Sequence, residues 1–187
     1  MTAFLSLHAA GVVRNGKAAL LLGESKAGKS TLSTRLLDEN FTILADDVVL
    51  VDIESLLSHP SERAIYLRSQ ASRLFPQYRP YLHPGRSRGQ RYWRLNPEEI
   101  GAGCRAAPTP VHALIQLERA CPGRPAALLP MSQTDATTAL LRQSMNLMEL
   151  GTSGLGAMIQ LVRQARLFRL YNGDLTGCAS LLSQALP

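Results

Sequence analysis

The sequence predicts an α/β fold, a mixed and partly antiparallel sheet with helices packed against it. Three observations carry this expectation. Short apolar runs with the period-two or continuous pattern of strands alternate with segments whose apolar residues recur at helical spacing. A glycine-bounded run, Gly23–Ser30, sits between an apolar strand and a helix. The chain has 187 residues, 45% hydrophobic and 18% charged, which is one domain's length with enough apolar side chains for a core.

The elements follow in order. Phe4–His8 and Gly11–Arg14 alternate or run apolar, as strands do. Asn15-Gly16 then marks a tight hairpin, because both residues accept positive φ. Ala18–Leu22 reads as a buried strand. Lys29–Leu37 places Leu32, Leu36 and Leu37 at helical spacing, and Asp38-Glu39-Asn40 ends that helix. Phe41–Ala45 and Val48–Ile53 are strands on either side of Asp46-Asp47. The stretch from Ser58 to Gly89 is rich in proline and arginine and reads as irregular, apart from a short strand near Ala64–Arg68. Gln90–Leu95 reads as a strand, and Asn96-Pro97-Glu98-Glu99 opens a short helix with proline in its first turn. Val111–Leu117 and Ala126–Leu129 are strands. Ser132–Arg142 is a helix capped by Ser132 or Thr134. Leu155–Arg166 is a helix, Leu167–Tyr171 a strand, and Leu175–Leu186 a last helix capped by Asp174 after the turn Tyr171–Asp174. Gly151–Gly156 has the composition of a glycine-rich nucleotide loop, but a helix precedes it and no strand does, so it reads as a helix–helix connection. No repeat or linker divides the chain, and residues 1–187 read as a single domain.

Composition narrows the function classes. No apolar run approaches the ~20 residues of a membrane span. Met1–Val13 is apolar but lacks the basic lead-in of a signal peptide and runs straight towards the glycine segment, so it reads as a strand. Cys104, Cys121 and Cys178 are odd in number and share no metal-type spacing, which fits reduced thiols in a cytoplasmic protein and argues against a disulfide framework or a zinc site. The net charge of +6 is uneven, because residues 63–94 hold eight arginines and no acid. With 17 arginines against three lysines, coding bias and a solvated loop explain the block blandly. A local basic block also attracts phosphate, an acidic peptide or nucleic acid.

Gly23-Glu24-Ser25-Lys26-Ala27-Gly28-Lys29-Ser30 matches the phosphate-loop pattern G-x-x-x-x-G-K-[ST], with the strand before it and the helix after it that the pattern requires. Gly23 and Gly28 let the backbone curl, so that the N–H groups across Ser25, Lys26 and Ala27 face an anion. The helix N-terminus adds its partial positive charge. Lys29 reaches the β- and γ-phosphates, the Ser30 hydroxyl joins the Mg²⁺ shell, and Thr31 supports the α-phosphate. Asp46-Asp47 lies 17 residues beyond Lys29. The helix carries the chain ~15 Å away at 1.5 Å per residue, and a strand of about five residues brings it back a similar distance. The paired aspartates therefore return to the mouth of the loop. One carboxylate can serve Mg²⁺ while the other takes a proton from an attacking hydroxyl. A plain turn between strands is the alternative.

These residues resemble a known family. His8, the hairpin, "LLLGESKAGKSTL" and "LADDVVLVD" look like the catalytic domain of HPr kinase/phosphorylase, a bacterial branch of phosphate-loop kinases that shares its fold with phosphoenolpyruvate carboxykinase. "PTPVHALIQLE" and "FRLYNGDLTGCASLL" are similar to the small HPr-kinase-related proteins encoded beside peptide-modification clusters, some of which phosphorylate a serine of a lasso-peptide precursor. The resemblance implies that Asp46 takes the proton from the acceptor hydroxyl, that Asp47 with Ser30 holds the metal, and that His8 sits beside the transferred phosphate. Taken alone, His8 reads as a strand-end histidine. Ile65-Tyr66-Leu67-Arg68-Ser69 departs from the family motif I-x-[ILV]-R-G by placing Tyr66 where a metal-assisting glutamate stands, which puts that second metal contact and the phosphorolysis activity in question.

The expected protein is thus an ATP- and Mg²⁺-dependent kinase acting on a serine or threonine of a peptide or protein, with a lasso-type precursor among the acceptors. A small-molecule kinase of the same fold and a non-catalytic nucleotide sensor are the alternatives. Arg79, Arg86, Arg88, Arg91 and Arg94, interleaved with Tyr78, Tyr81, Tyr92 and Trp93, fit a lid over ATP or an acidic peptide better than a nucleic-acid site. No membrane association is expected. The family often forms hexamers, so a homo-oligomer stays open.

Overall fold

The computed structural model describes residues 3–87, 90–101, 103–119, 123 and 125–186. Arg88 and Cys121 lie outside the described residues. The fold is mixed α/β, with one large sheet, one small sheet and flanking helices. In chain order the strands are β1 (Phe4–Leu7), β2 (Ala10–Arg14), β3 (Lys17–Leu22), β4 (Thr42–Ala45), β5 (Val49–Asp52), β6 (Leu57–His59), β7 (Ile65–Arg68), β8 (Leu82–Ser87), β9 (Gln90–Leu95), β10 (Thr109–Glu118), β11 (Ala127–Pro130) and β12 (Arg166–Tyr171). The helices are α1 (Lys29–Leu37), α2 (Ser69–Ser72), α3 (Pro97–Ile100), α4 (Gln133–Gln143), α5 (Leu147–Gln164) and α6 (Leu175–Ala185).

The large sheet has nine strands organised around β10. Strand β10 runs parallel to β3 and to β12, while β2 is antiparallel to both β3 and β4. The start of β10 also pairs antiparallel with β6, which leads through β5 to β1. Strand β3 shows why the sequence folds this way. Ala18, Leu20 and Leu22 point into one apolar layer with α4 and α5, and Ala19 and Leu21 point into another with α1 and α6. A strand buried on both faces needs a continuous apolar run, and Ala18–Leu22 supplies it.

A second sheet, ordered β7-β9-β8, joins the strands expected near Ala64–Arg68 and at Gln90–Leu95 to a strand, β8, from the stretch expected to be irregular. Ile65, Leu67 and Leu95 are fully or almost fully buried and join the apolar layer under α1 and α6. Strand β8 contains Pro84 and Gly85, which read as loop residues. As the edge strand it has an unpaired side, where a missing proline N–H is tolerated. Gly85 lies opposite Tyr92, and a Cβ on Gly85 would collide with the Tyr92 ring, so the glycine lets that aromatic lie across the strand. The helix–helix connection expected at Gly151 is a break within α5, where Gly151 takes φ 56°. Ser132 and Asp174 cap α4 and α6 by accepting from the N–H of Asp135 and Gly177. No described helix is long and apolar enough to cross a membrane. Cys104 and Cys178 are free thiols.

Candidate active site

Strand β3 ends at Leu22, and the chain turns at Gly23 (φ 152°) into the loop that precedes α1. Two further residues, Lys26 (φ 71°) and Gly28 (φ 98°), take left-handed backbone and close the loop. No side chain caps α1, so the N–H groups of its first turn have no helical partner. Lys29, Ser30 and Thr31 line a cleft of about 370 Å³ together with His8, Glu24, Ser25, Lys26, Gly28 and Asp47. Ala27 is turned away from this cleft and buried. Asn172, in the turn between β12 and α6, braces the loop from outside. Its Nδ2 donates to the Ala27 carbonyl at 3.3 Å and would lie 2.8 Å from a Cβ at Gly28. In the sequence Asn172 is marked only as a turn residue.

Asp46 and Asp47 follow β4 and return to the loop, but they diverge. Asp47 takes φ 76°, a conformation that aspartate tolerates better than most residues, and this turns the two side chains apart. Asp46 is 1% exposed. Its Oδ2 accepts from the Ser30 hydroxyl at 3.0 Å and from the Tyr66 backbone N–H at 3.3 Å. Its Oδ1 is buried without a partner among the described residues. Burial pushes the Asp46 carboxyl up from its ordinary value near 3.8 to about 6, against the opposing hydrogen bonds from Tyr66 and Ser30. Asp47 is half-exposed, with Oδ2 3.8 Å from Arg63.

His8 and Lys29 join Asp47 in one chain of contacts. Lys29 Nζ donates to the carbonyls of Gly23 (2.6 Å) and Glu24 (3.3 Å) and lies 3.1 Å from His8 Nε2. An ammonium has only donors, so His8 Nε2 is the acceptor and its proton is on Nδ1. That Nδ1 lies 3.0 Å from the Asp47 carbonyl and 3.1 Å from its carboxylate, both acceptors, so the tautomer satisfies every contact. The strand-end position of His8 therefore links the lysine to the exposed aspartate. Burial lowers the Lys29 ammonium from its ordinary value, and the charges of Asp46 and Asp47 oppose that shift.

The donor set suits a hard cation shared with a ligand. Ser30 spends its proton on Asp46 and keeps its lone pairs. Ser30 and Asp47 line one cleft, and the unpartnered Asp46 Oδ1 adds a third oxygen nearby. A hydroxyl and two carboxylates around one cleft are donors of the type Mg²⁺ takes, since it commonly binds through one or two carboxylates plus phosphate oxygens and water. Tyr66 and Arg68 form the far wall of the cleft. The expected glutamate position is thus occupied by a residue whose backbone, not its side chain, meets Asp46.

The chain is similar in structure to the Hpr(Ser) kinase/phosphatase from Coxiella burnetii, with 16% identity and a TM-score of 0.42 over 96% of this chain and 91% of that one. No family model matches the chain, and no curated protein matches it.

Proposed function

We propose that the chain is a Mg²⁺- and ATP-dependent phosphotransferase that phosphorylates a serine or threonine hydroxyl of a peptide or protein, with a ribosomal precursor of the lasso type among the acceptors. One observation carries this reading. Ser30, at the start of α1, is hydrogen-bonded to a buried carboxylate whose other oxygen has no partner. Phosphoryl transfer needs an anion cradle, cation-binding oxygens and a proton acceptor within reach of each other, and these residues supply the set.

The loop N–H groups and Lys29 would hold the triphosphate at the N-terminus of α1. Mg²⁺, when bound at Ser30 and Asp47, would neutralise phosphate charge. Asp46, raised to about 6 and therefore mostly ionised at neutral pH, is poised as the proton acceptor. The acceptor oxygen forms its bond to the γ-phosphorus as the bond to the β–γ bridging oxygen breaks. The hydroxyl proton goes to Asp46, and ADP leaves. His8 orients Lys29 against Asp47.

A second reading has its own observation. A cleft of about 420 Å³ opens on the other flank of the loop, sharing Glu24 and lined by Arg119, Arg142 and Arg169. Arg119 pairs with Glu24 at 3.1 Å, and Arg169 with Glu118 at 3.3 Å, so the pocket is polar and of both signs. It suits a small-molecule alcohol as acceptor.

The test is transfer from Mg²⁺-ATP to serine- and threonine-bearing peptides, those encoded beside this gene included, read by mass spectrometry. Lys29→Ala and Asp46→Asn serve as controls. Phosphopeptide that disappears in both variants supports the peptide-kinase reading. Tight ATP binding with no phosphopeptide overturns it in favour of a small-molecule acceptor or a non-catalytic nucleotide sensor.

A further inference from the structure

The arginine block does not simply cover the surface. Antiparallel register places Arg86 directly opposite Arg91, one pair in from the Ser87–Gln90 end where β8 passes into β9. Like charges facing each other across a ladder destabilise the pair. Neither arginine has an ion-pair or hydrogen-bond partner for its side chain among the described residues, and the same holds for Arg73 and Arg79. The stretch from 63 to 94 contains no carboxylate that could neutralise them.

These four arginines lie along connected clefts. Arg86 and Arg91 line one of about 500 Å³ with Trp93 and Tyr92. Arg73 and Arg79 line the next, of about 370 Å³, and Trp93 and Ser69 are walls of both. The register sets Arg86, Arg91 and Trp93 on the same face as Leu67 and Leu82, so both clefts open on that face, with two pairs of unpaired guanidinium groups separated by a half-buried tryptophan. Tyr92 and Tyr66 point to the opposite face, where they line the clefts that hold Ser30, Asp46 and Asp47 and, beyond, Lys29.

We infer that these two adjoining clefts dock an acidic segment of the acceptor polypeptide, with Asp or Glu side chains taken by Arg86–Arg91 and Arg73–Arg79. The inference rests on the peptide-kinase reading above. Guanidinium groups match carboxylates with paired, planar hydrogen bonds. An anionic ligand between Arg86 and Arg91 relieves their mutual repulsion, which an uncharged peptide does not.

The test uses a fluorescently labelled octapeptide with one central serine flanked by Asp and Glu, its Asn/Gln counterpart, and a single-stranded DNA dodecamer. Binding is followed by anisotropy in the full chain, in Arg86→Gln/Arg91→Gln and in Arg73→Gln/Arg79→Gln. Thermal unfolding serves as the check on folding. The acidic peptide binds more tightly than the neutral one, each double variant weakens it by about tenfold, and salt weakens it further. Equal affinity for acidic and neutral peptides overturns the inference. So does an acidic peptide indifferent to both double variants, or a DNA strand that binds more tightly and depends on the same arginines. Transfer is scored separately. Acidic-peptide binding without transfer to any peptide keeps the dock and defeats the kinase reading, whereas transfer that ignores acidic flanks keeps the kinase and defeats the dock.

Discussion

In the large sheet the polar groups are pinned. Lys29 is held by two loop carbonyls and His8, and Asp46 by Ser30 and the Tyr66 N–H. The strands beside them, β3 and β10, are buried on both faces. In the small sheet the apolar side chains of β7 and β9 are anchored on one face, while Arg73, Arg79, Arg86 and Arg91 have no partner among the described residues. On the function proposed above, the difference separates two tasks. Transfer chemistry requires groups set to within fractions of an ångström by a stiff frame, which the α1–β3–β4 corner would provide. Recognition of a flexible chain tolerates mobile side chains, provided the backbone beneath them is fixed and their charge is unspent.

The largest effects are expected from unpinning the first region. Lys29→Ala removes the cation at the mouth of the loop and lowers transfer by about 10²–10³-fold, measured as phosphopeptide formed per unit time. Asp46→Asn should abolish proton acceptance and also stabilise the protein. Its carboxyl has a folded value of about 6 against about 3.8 when unfolded, so its contribution to stability is complete below about 3.8 and is lost as pH rises through about 6. The loss amounts to roughly 3 kcal/mol at neutral pH. Thermal unfolding should therefore show a higher Tm for Asp46→Asn at pH 7.5 by several degrees, with the gap closing towards pH 4. A variant less stable at pH 7.5 would mean that the buried carboxylate is fully compensated.

A smaller effect sharpens the role of the loop's outer brace. Gly28→Ala places a Cβ at φ 98° and against Asn172 Nδ2, and we expect a loss of about 1–2 kcal/mol in stability with weakened ATP binding. Asn172→Ala alone costs about 1 kcal/mol through the lost bond to Ala27. Combined, the two should cost less than their sum, because removing Asn172 clears the collision; strict additivity in denaturant unfolding would show that the brace does not touch the loop.

The smallest effect belongs to the second region. Gly85→Ala pushes the Tyr92 ring off β8 and reshapes the cleft that Tyr92 shares with Asp46. Peptide KM should rise a few-fold with kcat unchanged, whereas a fall in kcat alone would place Tyr92 in the chemistry rather than in docking.

Much of the first region was legible in sequence, because loop length and strand length alone bring Asp46-Asp47 back to Lys29. The divergence of the two aspartates was not, since it depends on the left-handed turn at Asp47. Nor was the contact between Tyr66 and Asp46, which is made by a backbone N–H that every residue but proline carries. In the second region Pro84 and Gly85 read as breakers. Their strand forms because β9 supplies a ladder on one side and Tyr92 fills the space that the glycine leaves. Asn172 was hidden because asparagine in a turn is common whether or not its side chain holds a neighbouring loop.

The most direct measurement is the pH dependence of ADP release from Mg²⁺-ATP in the presence of the serine- and threonine-bearing peptides, between pH 5 and 8, for the unmodified chain and for Asp46→Asn. We expect the rate of the unmodified chain to rise through about pH 6, as Asp46 loses its proton, and then to level off, while Asp46→Asn stays near background throughout. A rate in Asp46→Asn equal to that of the unmodified chain, with the same pH profile, would contradict Asp46 as the proton acceptor.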